Sequence, residues 1–167
     1  TVTYYSIQEN KGNTEIFVMN IDGSDKKQLT QTASRENAAK WMNDGKHIAY
    51  ISNESGSPQL WIMREDGKKR RQITDREGGI SDFMFAPDEK KILFVADVKT
   101  KNTVTDMHPD LPQATGVIAD DLMYKHWDEW GSSAPHPFVA DFDGEKISGE
   151  KDVLEGEPYE SPVKPMG

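Results

Sequence analysis

The eight residues Leu60-Trp61-Ile62-Met63-Arg64-Glu65-Asp66-Gly67 read as a β-strand running into a tight turn. The Asp-Gly pair makes the turn, because glycine accepts a positive φ at no steric cost. The pattern has an upstream echo, Ile16-Phe17-Val18-Met19-Asn20-Ile21-Asp22-Gly23, and a downstream one, Pro137-Phe138-Val139-Ala140-Asp141-Phe142-Asp143-Gly144. Gly23 and Gly67 stand 44 residues apart, and Gly67 and Gly144 stand 77 apart, one period plus 33. A repeat of about 40–45 residues built from short strands is the sequence form of a β-propeller blade.

Other segments keep the same phase. Gln28-Leu29-Thr30 returns 44 residues later as Gln72-Ile73-Thr74, and Trp41 returns as Phe85. The turn Asn43-Asp44-Gly45-Lys46 has its counterpart in Pro87-Asp88-Glu89-Lys90. Each turn leads into an apolar run, His47 to Ile51 and Ile92 to Ala96, read as strands covered on both faces. Residues 2–7, 15–21 and 27–31 read as earlier strands, with a polar loop from Gln8 to Asn13.

The expected architecture is all-β, with each blade a four-stranded antiparallel meander. The innermost strand holds Trp41 or Phe85, the second spans Ile48 to Ser52, the third Leu60 to Glu65 and the outer one Arg71 to Thr74. The expected division of 1–167 is a blade remnant over about 1–34, a blade over 35–78 and a blade over 79–156 with an insertion at about 99–135. About three blades make an incomplete ring, since closed propellers have four to eight. The expectation is a fragment of a larger propeller, or a chain that self-associates through open blade edges. Met19, Met42, Met63 and Met84 recur at strand positions and read as core fillers.

The chain has 167 residues, net charge −9, 29% charged residues and no cysteine. The acidic balance argues against a nucleic-acid partner, which needs clustered Lys and Arg. The one basic run, Lys68-Lys69-Arg70-Arg71, follows a turn and reads as a solvated hairpin flank. Without cysteine there is neither a disulfide framework nor a thiolate zinc site. No run of about 18 apolar residues is present to span a membrane. The opening Thr1-Val2-Thr3-Tyr4-Tyr5 reads as a strand and not as a signal peptide.

The 33 extra residues fall between the second and third strands of the last blade. Loops there lie on the same mouth as the blade-to-blade connections, so the excursion reaches over one mouth of the propeller. Met107 to Pro112 reads as irregular because of its prolines, and Asp120 to Trp130 as a short helix capped by Asp120 or Asp121. Two readings of that helix stand side by side. Asp128 and Glu129 could bind a cation such as a peptide ammonium, with Trp127 or Trp130 adding cation–π contact and Tyr124 and His126 nearby. Equally, the aromatics could staple the excursion to the propeller while the acids stay solvated. His126 and Asp128 find no third ligand at helical spacing, so no metal site is expected, nor is any cofactor. His47 and His136 read as strand-edge residues without a ligand role. Ser132-Ser133 is no nucleophile elbow, since G-x-S-x-G is absent, and the chain contains no catalytic triad.

The blade pattern resembles the propellers of the Tol-system periplasmic protein and of the prolyl oligopeptidase family of serine peptidases. The residues that carry it are the strand-to-Asp-Gly turns, the Gln-Leu-Thr and Gln-Ile-Thr segments and the Trp41 to Lys46 turn. Leu122 to Trp130, with Pro137-Phe138-Val139 and Gly156-Glu157-Pro158-Tyr159, is similar to bacterial propellers of the dipeptidyl peptidase V and acylaminoacyl peptidase type. That resemblance implies a propeller that caps an α/β-hydrolase domain carrying a Ser-Asp-His triad. It also implies a periplasmic or secreted exopeptidase acting on peptide N-termini, with the propeller gating access and orienting the substrate amine. In dipeptidyl peptidase IV relatives an acidic pair on a propeller insertion holds the substrate ammonium, and Asp128-Glu129 is similar in character. The alternative is a Tol-like propeller that binds protein partners in the periplasm.

Overall fold

The computed structural model describes residues 1–116 and 132–158. Twelve strands and one helical turn occur among them. One four-stranded antiparallel sheet is formed in chain order by β5 (Glu36–Trp41), β6 (His47–Ser52), β7 (Gln59–Arg64) and β8 (Arg71–Gln72). The next is formed by β9 (Asp82–Phe85), β10 (Lys91–Lys99), β11 (Ser133–Phe142) and β12 (Ile147–Asp152), again paired in chain order. These are the expected meanders of a β-propeller.

The first part of the chain departs from the sequence reading in detail. β1 (Val2–Ser6) pairs with β2 (Lys11–Glu15), and β3 (Phe17–Val18) pairs with β4 (Lys27–Gln28). The expected strand 15–21 therefore begins at Lys11 and breaks at Ile16, and the expected strand 27–31 keeps only two ladder residues. The reason is a side-chain substitution in the ladder. The Ile16 amide donates to the Thr30 hydroxyl at 2.9 Å, and the Leu29 amide donates back to the Ile16 carbonyl at 2.8 Å. The same pair of bonds recurs one period later, from the Leu60 amide to the Thr74 hydroxyl at 2.9 Å and from the Ile73 amide to the Leu60 carbonyl at 2.7 Å. Each threonine hydroxyl in turn donates to a buried side chain, Glu15 at 2.6 Å and Gln59 at 2.7 Å.

The turns repeat at half that period. Asp22, Asp44, Asp66 and Asp88 follow one another every 22 residues, and each accepts the backbone N–H two residues on. Asp143 does the same in the last hairpin. These bonds stabilise the ionised carboxylate, and the backbone N–H of Lys68 holds Asp66 below the ordinary carboxylate range.

The sheets stack face to face. Side chains alternate along β6, so Ile48 and Tyr50 pack with Ile16, Leu29 and Met63 of the first seam. Ala49 and Ile51 instead join Leu60 and Ile62 in the second seam, against Phe83, Ile92, Phe94 and Phe138. Phe94 and Phe138 stack at 5.3 Å between ring centroids. Here β6 meets the expectation of a strand covered on both faces, while β10 does not. Its Ile92, Phe94 and Ala96 are buried, but Leu93, on the face away from β6, is 41% exposed. Met84 projects on that same open side of β9 and is exposed, and Met19 is exposed beyond β3, so neither is a core filler; Met63 is fully buried.

Close backbone approach leaves no room for a side chain at Gly67 or at Gly79, where a Cβ would lie 2.3 Å from the Pro58 carbonyl oxygen. Gly67 has φ +80°, and a Cβ there would lie 2.5 Å from the Leu29 carbonyl oxygen, while at Gly23, φ +85°, a Cβ would meet nothing. Gly23→Ala is expected to cost about 1–2 kcal/mol through backbone strain alone, and Gly67→Ala about 1–3 kcal/mol more through the added clash. Urea unfolding of the two variants measures the difference, and equal losses would contradict the close packing.

Candidate functional site

The excursion grows from the end of an unusually long hairpin. β6 and β7 pair over six residues, from His47 opposite Arg64 to Ser52 opposite Gln59. β10 and β11 pair over nine, from Lys91 opposite Asp141 to Lys99 opposite Ser133. The ladder thus carries the base of the excursion outward, and pairing ends at Lys99 opposite Ser133. Pro135 and Pro137 stand within β11, opposite Asp97 and Val95. Pro137 does this without losing a bond to β10, because its carbonyl faces the other way and accepts the Val153 amide at 2.9 Å.

At its base the excursion is tied down by the Ser132 carbonyl, which accepts the amides of Thr100 at 2.8 Å and Lys101 at 3.1 Å. The single helical turn follows, α1 (Val104–Met107). Thr103 and Asp106 form its start: the Asp106 carboxylate accepts the Thr103 amide at 2.6 Å and the Thr103 hydroxyl at 2.5 Å. The Lys99 ammonium pairs with the same carboxylate. Lys99 first, and Thr103 after it, hold Asp106 well below the usual carboxylate range. This turn was not foreseen, although the Thr-x-x-Asp spacing of a capping box was its signal. The helix expected over 120–130 lies outside the described residues. So do all six candidate substrate-binding residues, Tyr124, His126, Trp127, Asp128, Glu129 and Trp130.

Near the base of the hairpin a histidine sits where the sequence suggested an edge residue. His136 lies within β11, is 1% exposed, and its Nδ1 meets Asp152 Oδ2 at 2.8 Å. It faces the second seam, opposite Ala96, because it shares the inward parity of Phe138 and Ala140. Its Nε2 has no partner among the described residues. A histidine oriented by a carboxylate is one part of a hydrolytic apparatus, but no hydroxyl bonds to the free nitrogen here, so no activated nucleophile exists among the described residues. Beside this pair, the Arg76 guanidinium lies 4.0 Å from the centre of the Phe138 ring and bonds Glu150 at 2.9 Å. No group of three or more His, Asp or Glu side chains among the described residues is placed to hold a metal.

On the opposite mouth a cleft of about 450 Å³ opens between the two four-stranded sheets, with Met42 and Phe142 among its lining. Several of its polar groups are already committed. Asp44 holds His47 at 2.5 Å, Glu89 accepts the Asn43 amide at 2.7 Å, and Arg71 donates to the carbonyls of Gly144 and Glu145. The cleft is therefore a joint between sheets. Arg71 in this joint, and Arg70 in the first seam, correct the reading of the basic run as solvated; only Lys68 and Lys69 are fully exposed.

Because Asp106 titrates low, the α1 turn keeps its cap from neutral pH down through the ordinary carboxylate range and loses it only below that. Amide exchange at Asp106, Met107 and His108 is expected to be flat from about pH 7 to pH 4 after correction for intrinsic rates, and to accelerate several-fold in Asp106→Ala. Equal rates in the variant would remove the cap.

A family model described as the TolB beta propeller domain matches residues 5–147. Dipeptidyl-peptidase 5 of Porphyromonas gingivalis is 54% identical over 164 residues, 98% of this chain and 24% of that protein. Dipeptidyl-peptidase 5 of Porphyromonas endodontalis is 43% identical over 165 residues, 99% of this chain and 24% of that protein. The chain thus spans about a quarter of the length of these curated relatives. The solved acylaminoacyl peptidase of Pyrococcus horikoshii superposes with a TM-score of 0.60 at 18% identity, over 90% of this chain and 22% of that one, a likeness of fold.

Proposed function

The chain belongs to the TolB β-propeller domain family, and from that membership we propose that it is the non-catalytic propeller portion of a serine exopeptidase of dipeptidyl peptidase type. The observation that carries this reading is 54% identity with a dipeptidyl-peptidase along nearly the whole chain, excursion included. In this reading the catalytic apparatus, an α/β-hydrolase domain with its Ser-Asp-His triad, belongs to the remainder of the parent polypeptide, which works in the periplasm or outside the cell. The propeller gates access to it.

The excursion is the part suited to touch substrate. It stands on the extended β10–β11 ladder and is anchored at both feet, by Ser132 on one side and the Lys99–Asp106 pair on the other. A loop so held can present side chains without itself being part of the core. In this reading Asp128 and Glu129 take the peptide ammonium, Trp127 or Trp130 adds a cation–π contact, and Tyr124 and His126 are further candidates to touch substrate. A charge-assisted bond of this kind contributes about 1.5–3 kcal/mol. In the full-length protein, Asp128→Asn with Glu129→Gln is therefore expected to lower kcat/KM about ten- to a hundred-fold for peptides with a free N-terminus. Acylated peptides should be unaffected, and unchanged kinetics on both would exclude the ammonium role.

The open side of β9–β11 presents Leu93 and Met84 to solvent. In a chain limited to residues 1–167 that face is available to a second copy, so self-association at tens of micromolar is expected in sedimentation. A clean monomer there would contradict it. A Tol-like protein-binding propeller is the competing reading; it predicts a protein ligand and no effect of the double variant on peptide turnover.

A further inference from the structure

The first seam contains a buried acid that no other part of the repeat reproduces. Glu36 opens β5, is fully buried, and lies on the face of its sheet turned towards β2 and β3. Its Oε1 accepts the Thr32 hydroxyl at 2.7 Å and the Ser52 hydroxyl at 3.1 Å, while its Oε2 has no donor among the described residues. Across the seam stands Glu15, 4% exposed and at the end of β2. Both carboxyls converge on one residue, because the Thr32 amide donates to Glu15 Oε1 at 3.0 Å while the Thr32 hydroxyl serves Glu36. Glu15 accepts two further bonds, from Asn13 Nδ2 to Oε1 at 3.0 Å and from the Thr30 hydroxyl to Oε2 at 2.6 Å, so Oε2 keeps one acceptor site.

One period later the pair is gone. Glu15 is replaced in phase by Gln59 and Glu36 by Ile80, although the surrounding bonds persist; the Arg76 amide donates to Gln59 Oε1 at 3.2 Å as the Thr32 amide does to Glu15. The second seam thus does the same structural work with neutral groups. The charged pair is not required by the blade architecture.

Among the described residues, Arg70 is the cation that pairs with Glu36. Its Nη2 is 4.0 Å from Glu36 Oε1, but the guanidinium pairs with Glu54, donates to the Tyr50 hydroxyl at 3.0 Å, and lies 6.0 Å from the ring centres of Tyr50 and Trp61. The titratable and charged groups facing Glu36 are then Glu15 from β2, Tyr50 from β6, Glu54 from the β6–β7 loop and Arg70 from the β7–β8 turn. Two of these are acids, and the cation is shared with Glu54. An orphaned carboxylate oxygen is costly in such a place, whereas a carboxylic acid has a hydrogen to give.

We propose that Glu36 is held as the neutral acid and donates its proton across the first seam to the Glu15 carboxylate, making that seam a proton-dependent joint between blades. Loss of the proton to solvent leaves two buried carboxylates facing each other, and the first two small sheets loosen from the β5–β8 sheet while the second seam is untouched. Burial first, and then the neighbouring Glu15 charge, push the Glu36 carboxyl above its ordinary value, in the direction the geometry requires.

The direction of the pH effect follows. The folded state holds one proton more than the unfolded chain in the window from the ordinary glutamate value, about 4.3, up to the raised native midpoint of Glu36. The joint is at full strength below that window and weakens as pH rises through it, by up to about tenfold in the opening constant per pH unit. Hydrogen exchange with mass-spectrometric readout, corrected for intrinsic rates, tests this on the whole protein. Peptides across β2 to β4 are expected to lose protection as pH rises from about 5 to 8, and peptides across β9 to β12 are not. Glu36→Gln, whose amide can still donate to Glu15, should flatten the first profile while keeping protection, and Glu15→Gln should make it shallower by removing the opposing charge. A flat profile in the unsubstituted protein, or an unchanged slope in whichever variant folds, overturns the proposal.

Discussion

Two threonine hydroxyls hold the outer strands of the first two blades. A ladder of two residues, such as β3–β4 or β7–β8, is too short to persist by backbone pairing alone. Thr30 and Thr74 lengthen it by accepting the amide of the residue that would otherwise have no partner, and each passes its own proton to a buried acceptor. A polar chain of this kind is stabilising only when every member is satisfied. That condition holds the same 14-residue spacing in both blades, Ile16 to Thr30 and Leu60 to Thr74.

Once the outer strands are fixed, packing follows from alternation. A sheet enclosed between two others must be apolar on both faces, and β6 and β7 supply this by sending successive side chains to opposite seams. The seams differ in chemistry. The second is lined by phenylalanines and aliphatics, with Arg76 stacked at its edge. The first has fewer apolar residues and contains Glu15, Glu36, Tyr50 and Arg70 in their place.

The blade order was legible because its signals are local. An aspartate two residues before a backbone donor, a glycine at positive φ and a Gln-x-Thr segment each act within a few residues, and each recurs at a fixed interval. What escaped were features set by contacts distant in sequence. Ile16 breaks a strand because a threonine 14 residues away takes its amide. Arg70 sits in a run of four bases yet lies against Tyr50 and Trp61, and Met84 repeats in phase with the core yet faces outward. Periodicity reports which residues share a strand position; it does not report which faces find a neighbour. The excursion announced itself in the 77-residue step from Gly67 to Gly144, while α1 depended on the Thr103–Asp106 pairing, a motif only four residues long.

The aspartate turns and the excursion occupy opposite ends of the strands, and this divides the molecule into a part that resists lengthening and a part that accepts it. A hairpin whose carboxylate is bonded to its own backbone two residues on has no slack, and an added residue there would break the bond and shift the strand that follows. The β10–β11 end is free of that constraint. Thirty-three residues enter between paired strands, yet Lys91 still meets Asp141 in the same register as His47 meets Arg64. New surface can therefore be acquired at one mouth without rebuilding the scaffold, and divergence among propellers of this design should concentrate there, while the aspartate-turn mouth varies little in length.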